Sequence, residues 1–171
     1  MDARTFEGLI ERYSDRVYSI ALRITGSPDE AADAVQDAFL SAYEHREAFR
    51  GGAAPSTWLY RIAVNAALQR VRDRRPTEQL DAGGEAGPEI VDWSEDVMQR
   101  VETGELRETL ERGIGLLPIN ERVAFVLRDV QGLSTTEAAS VLEIGEAALK
   151  SRLHRARVLM RQYLADYVTL R

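Results

Sequence analysis

Leu133-Ser134-Thr135-Thr136-Glu137-Ala138-Ala139-Ser140-Val141-Leu142, then Glu143-Ile144-Gly145, then Glu146-Ala147-Ala148-Leu149-Lys150-Ser151-Arg152 reads as two helices joined by a short turn. Ser134 and Glu137 stand at capping-box spacing, where each side chain satisfies the other residue's backbone N–H and starts the first helix. Ala139 is small enough for a close helix crossing, and Ile144 seats the turn, so the segment is a helix-turn-helix. Along the second helix Leu149, Leu153, Ala156 and Met160 recur at helical spacing and mark an inner side. Glu146, Lys150, Ser151, His154, Arg155 and Arg157 are left outward, where a helix can meet a major groove and its flanking phosphates.

Moving outward, charge is unevenly spread. The chain has 171 residues and a formal net charge of −6, which looks wrong for a nucleic-acid binder until it is located. Residues 1–75 balance 11 Arg against 11 acids, residues 76–112 carry a net −8, and residues 113–171 a net +2. Between Arg50 and Arg75 six arginines face one acid, Asp73, and between Leu149 and Arg161 five bases face none. Two basic patches flanking an acidic segment are the field a bipartite nucleic-acid binder requires.

The first half reads as three helices. Phe6, Leu9, Ile10, Tyr13, Val17, Ile20, Ala21 and Ile24 recur at three- and four-residue spacing, giving a helix from about residue 4 to 25 that Gly26 ends. Ser27-Pro28-Asp29-Glu30 supplies a cap, a first-turn proline and first-turn acids for a second helix to about His45, with Ala31, Val35, Ala38, Phe39 and Ala42 inward. Phe49-Arg50-Gly51-Gly52-Ala53-Ala54-Pro55 is a loop. Ser56 is expected to cap a third helix from about Thr57 to Arg74, carrying Trp58, Leu59, Ile62, Ala66 and Leu68.

From Pro76 to Ser94 the chain has little to bury and reads as a flexible acidic tether, with Ile90, Val91 and Trp93 as exceptions. A second bundle follows as helices from about Glu95 to Leu116, Asn120 to Val130, Thr135 to Leu142 and Gly145 to Tyr167. The expected fold class is all-α, two small helical bundles at 1–75 and 95–171 around a 76–94 linker.

Other functions find little support. The chain has no cysteine, which excludes disulfides and thiolate chemistry. His45 and His154 are far apart, and no acid/base pair, nucleophile–base pair or metal-ligand cluster stands at usable spacing, so neither an enzyme nor a cofactor is expected. No apolar run approaches the roughly 18 residues of a membrane span, and the N-terminus lacks a signal-peptide layout, so the expected compartment is the cytoplasm.

With these residues in view the chain resembles the extracytoplasmic-function sigma factors of bacterial RNA polymerase. The similarity runs from Leu117-Pro118 through Glu121-Arg122, Phe125 to Ser134, Glu137-Ala138-Ala139 and Leu142 to Lys150-Ser151-Arg152-Leu153-His154-Arg155-Ala156-Arg157. One departure is Gly145-Glu146-Ala147-Ala148, where the family more often shows a proline, a Gly-Thr pair and a valine. The resemblance implies a C-terminal domain reading the −35 element through Lys150, Ser151, Arg152, His154, Arg155 and Arg157. Asp29 to Leu40 resembles the family's segment that grips the clamp helices of the largest polymerase subunit, with Asp33, Gln36, Asp37 and Leu40 at the matching positions. Phe49 to Gly52 and Thr57 to Asn65 resemble the −10-reading loop and helix. They imply contacts from Arg50, Gly51, Gly52, Ser56, Trp58, Arg61, Ile62 and Asn65, with a base pocket between Arg50 and Ser56 and Asn65 near its floor. Trp58 reads equally as bundle core or as a stacking surface. Arg70, Arg72, Arg74 and Arg75 are the expected phosphate contacts.

The implied partners are core RNA polymerase through its clamp helices and flap, promoter DNA, and an anti-sigma factor that could hold the protein at the membrane. A stand-alone helix-turn-helix regulator is the competing reading. It accounts for Ser134 to Arg161 but leaves Asp29 to Leu40 and Phe49 to Asn65 without a role.

Overall fold

The computed structural model of the chain describes residues 1–74 and 104–169, and the chain divides into two compact units. Arg75, the 76–94 tether with Ile90, Val91 and Trp93, and the helix start near Glu95 lie outside the described residues. All regular elements among the described residues are helical.

The first unit is a three-helix bundle of α1 (Ala3–Thr25), α2 (Pro28–Glu44) and α3 (Pro55–Arg74), with a 3₁₀ turn at Arg46–Ala48. The Asp2 carboxylate accepts the Thr5 N–H at 2.8 Å and caps α1. That bond holds the Asp2 carboxyl below its ordinary range. Gly26 takes the left-handed conformation (φ 70°), which only glycine adopts cheaply, and closes α1 with its N–H on the Leu22 carbonyl. Ser27 then caps α2 on the Glu30 N–H.

The core joins Val17, Ile20, Ala21 and Ile24 of α1 to Ala31, Ala34, Ala38 and Ala42 of α2 and to Leu59, Tyr60, Ala63, Val64 and Ala67 of α3. Each fully buried Ile or Leu contributes roughly 1.5–3 kcal/mol. The inner faces of α2 and α3 are rotated from those the sequence suggests. On α2 the stripe is entirely alanine, so the helices approach closely, and Val35 and Phe39 lie half-buried on its flanks. On α3, Trp58, Ile62, Ala66 and Leu68 are half-buried, and of the expected set only Leu59 is in the core. Because α3 packs on both α1 and α2 and carries apolar residues all round, periodicity alone could not choose its buried arc. This helix also starts earlier than expected. Ala54 accepts the first bond, from the Trp58 N–H at 3.1 Å, and Pro55 takes the opening position, where a missing N–H costs nothing.

The later described helices are α4 (Gly104–Leu116), α5 (Ile119–Phe125), α6 (Thr135–Leu142) and α7 (Glu146–Thr169), and the second unit is built mainly from them. The helix expected through Val130 instead widens after Phe125 into a π-helical turn, Val126–Val130, with the Gln131 N–H on the Val126 carbonyl at 2.9 Å. Gly132 follows at φ 73° and stops it. α7 packs across α4 and α5. Gly113 on α4 permits the close crossing, since a Cβ there would meet Met160 Cε at 3.1 Å. No described helix is long and apolar enough to cross a membrane.

Candidate nucleic-acid and partner interfaces

The capping box of the helix-turn-helix is formed in both directions. The Ser134 N–H donates to Glu137 Oε2 at 2.8 Å, and the Glu137 N–H donates to Ser134 Oγ at 3.1 Å. In the turn, Glu143 rather than Gly145 takes the left-handed backbone, at φ 55°. Glu146, the acid that sets the tip of α7 apart from the family pattern, accepts the Thr136 hydroxyl at 2.8 Å and so ties α6 to α7.

Leu149, Leu153, Ala156 and Met160 form the buried side of α7, as their spacing requires. Of the outward set, Glu146, Lys150 and Ser151 are exposed, while His154, Arg155 and Arg157 are half-buried, as is Arg152. The two arginines of that set are engaged by acids of the same unit. Arg155 Nε donates to Glu121 Oε1 at 2.9 Å, and Arg157 grips Asp129 with two bonds, Nε to Oδ2 at 2.9 Å and Nη2 to Oδ1 at 2.7 Å. His154 keeps Nε2 out of solvent and without a hydrogen-bond partner among the described residues. Arg155 and Arg157 therefore hold α7 against α5 and the π turn instead of pointing freely at a groove.

Glu121 and Asp129 were missed by sequence reasoning. Both carboxylates are buried, at 1% and 2% exposure, and a buried charge is tolerated only when it is paired. The available signal was their position beside an apolar run, Val123 to Leu127, where an acid requires a partner.

On α2, Asp33, Gln36, Asp37 and Leu40 share one face, all exposed, with Leu40 at 57%. The structure brings to this face an arginine expected to meet phosphate. Arg70 Nη2 donates to Asp37 Oδ2 at 2.6 Å, and its Nη1 stands 3.7 Å from Asp33 Oδ2. The hydrogen bond to Asp37, with Asp33 and Asp73 nearby, raises the Arg70 pKa. Arg74 is also engaged, donating to the Thr25 carbonyl at 2.8 Å and pairing with Glu30 at 2.7 Å. Arg72 is exposed.

A groove of about 490 Å³ runs between α2 and α3, lined on one side by Asp37, Ala38 and Ser41 and on the other by Ile62, Asn65, Ala66, Gln69, Arg70 and Asp73. Asn65 thus shares a groove with α2 and not with the loop from Arg50 to Ser56, none of whose residues line it. In that loop Arg50 and Gly52 are exposed, and Gly51 adopts φ 76°, which explains the glycine. Ser56 and Arg61 are half-buried. Trp58 is half-buried with its ring 5.3 Å from that of Phe49, so it anchors the loop to α3.

Comparison with known proteins covers both units. The Sigma-70 region 2 family matches residues 9–77, and the Sigma-70 region 4 family matches residues 107–160. The chain is 33% identical to the ECF RNA polymerase sigma factor SigW of Bacillus subtilis (strain 168), across 96% of this chain and 91% of that one. It is 36% identical to the ECF RNA polymerase sigma-E factor of Escherichia coli (strain K12), across 91% and 84%. Among solved structures it resembles the sigma factor RpoE in complex with the anti-sigma factor NepR from Bartonella quintana, with a TM-score of 0.73, 21% identity, and 95% and 98% of the two chains covered. It also resembles CnrH in complex with the cytosolic domain of CnrY, with a TM-score of 0.68, 25% identity, and 96% and 90% covered.

Proposed function

The chain belongs to the extracytoplasmic-function sigma factors of the sigma-70 family, which bind core RNA polymerase and promoter DNA, and from that premise we propose how its surfaces divide the work. Residues 1–75 bind core polymerase and read the −10 element, 76–94 tether, and 95–171 read the −35 element. The α2 face of Asp33, Gln36, Asp37 and Leu40 receives the clamp helices of the largest subunit. Carboxylates there meet basic side chains, and exposed Leu40 supplies an apolar contact. Arg50 to Gly52 and Ser56, with Trp58, Arg61, Ile62 and Asn65, capture the −10 strand. A loop anchored by an aromatic side chain suits a base taken out of the stack. The C-terminal unit also meets the polymerase flap. The protein acts in the cytoplasm on the nucleoid and catalyses no reaction of its own. An anti-sigma protein is a further partner, supported by the likeness to CnrH and to the RpoE–NepR complex.

One observation carries the −35 assignment. α7 is held from within by Arg155 and Arg157, while its first turns leave Lys150 and Ser151 exposed with Arg152 alongside. Reading therefore falls to Lys150, Ser151 and Arg152, and Arg155 and Arg157 serve by holding the helix. Reconstituted with core polymerase, the protein should direct transcription from a cognate promoter. Asp33→Ala with Gln36→Ala should weaken core binding, while Lys150→Ala with Arg152→Ala should spare it and lower promoter selection. Normal core binding by the first pair would refute the α2 assignment.

A further inference from the structure

Arg70 stands between the two surfaces of the first unit. Its guanidinium bonds Asp37 at 2.6 Å on the α2 face, and its own helix carries Ile62, Asn65, Ala66, Gln69 and Asp73 along the same groove. Three acids, Asp33, Asp37 and Asp73, surround this one cation, and Gln69 Nε2 donates to Asp73 Oδ1 at 2.8 Å. The site therefore holds more negative charge than Arg70 neutralises. Asp33 and Asp37 are 58% and 55% exposed, so their bonds to Arg70 are screened and weak and can be exchanged.

We propose that Arg70 is an exchangeable placeholder for the polymerase. A guanidinium or ammonium group of the basic partner takes over Asp37, and the released Arg70 turns along the groove to neutralise a DNA phosphate. This rests on the reading of α2 as the polymerase-binding face. The physical consequence is coupling. Before core binds, Arg70 is occupied and the acids beside the groove repel phosphate. Once the partner's cations cover Asp33 and Asp37, that repulsion falls and one more cation faces the DNA. A single exchange of ion pairs thus makes promoter affinity depend on polymerase, with no change of fold.

The sign of one substitution distinguishes a placeholder from a support. If Arg70 merely oriented Asp37 for its partner, Arg70→Ala would weaken core binding. As a competitor for Asp37, its loss should tighten core binding about two- to fivefold at low salt, with the gain vanishing at high salt. In the holoenzyme the same variant should bind promoter DNA less tightly, with a salt slope smaller by about one phosphate contact. Arg70→Gln should behave as Arg70→Ala does, and circular dichroism should show both folded. Core binding that is unchanged or weaker, or a DNA salt slope equal to wild type, overturns the exchange. Asp33→Ala with Gln36→Ala separates the layers. If that pair weakens core binding while Arg70→Ala does not tighten it, only the exchange fails. If that pair binds core normally, the underlying face assignment fails.

Discussion

Both units fasten helices with arginine–carboxylate pairs, yet the two sets are built differently. In the second unit Glu121 and Asp129 are almost wholly buried, and Arg155 and Arg157 reach in from α7 to meet them. In the first unit the acids that meet Arg70 lie mostly in solvent, and Glu30, which meets Arg74, lies at the surface edge. Burial decides what each pair can do. A buried pair cannot open without leaving an uncompensated charge in a medium of low dielectric, so it fixes geometry. An exposed pair loses little when water or another ion replaces one partner, so it can take part in binding. Helix α7 is thus held rigidly by buried pairs, and the α2 face proposed for the polymerase keeps charges that can change partners.

The largest test of this contrast is Asp129→Ala. It leaves the Arg157 guanidinium without its bidentate acceptor and should cost about 3–5 kcal/mol, a large share of the 5–15 kcal/mol typical of a domain. Amide hydrogen exchange should show protection of α7 falling by roughly two to four orders of magnitude while α3 is unaffected. A cost below about 1 kcal/mol would erase the distinction between the two sets. Arg155→Ala should follow at about 2–3 kcal/mol, because Glu121 is held through one oxygen while its Oε2 has no hydrogen bond among the described residues. Measured in the same way, it should rank below Asp129→Ala. On the other side, Arg74→Ala should cost under about 1 kcal/mol in denaturant unfolding of the first unit, and added salt should reduce even that.

The smallest effect belongs to Asp2. Its folded pKa lies below the ordinary 3.8, so its capping stabilisation is present above that pH and is lost as pH falls through the lowered value. Asp2→Asn keeps a capping oxygen and should remove this acid dependence from the helicity of α1, followed by circular dichroism.

Much of the molecule was legible because its signals are local. The Ser27 cap, the Gly26 stop and the reciprocal Ser134–Glu137 box involve residues three or four apart, and each formed as the spacing required. The inner side of α7 followed from Leu149, Leu153, Ala156 and Met160 for the same reason. Where apolar residues surround a helix, as on α3, the buried arc was set by two neighbouring helices and not by the period.

The sequence by itself determined where most of the helices run, the Ser27 and Ser134 caps, the Gly26 stop, the helix-turn-helix and the two concentrations of arginine. Only the tertiary structure decided what each arginine does. Arg70, Arg155 and Arg157 look alike in a sequence, but their acids lie 33, 34 and 28 residues away. Periodicity reports which face a side chain occupies. The charge opposite that face, and its access to water, arise only when distant segments are packed together, and these decide whether a cation sits in a buried pair that holds a helix in place or in a solvent-exposed pair that can be exchanged.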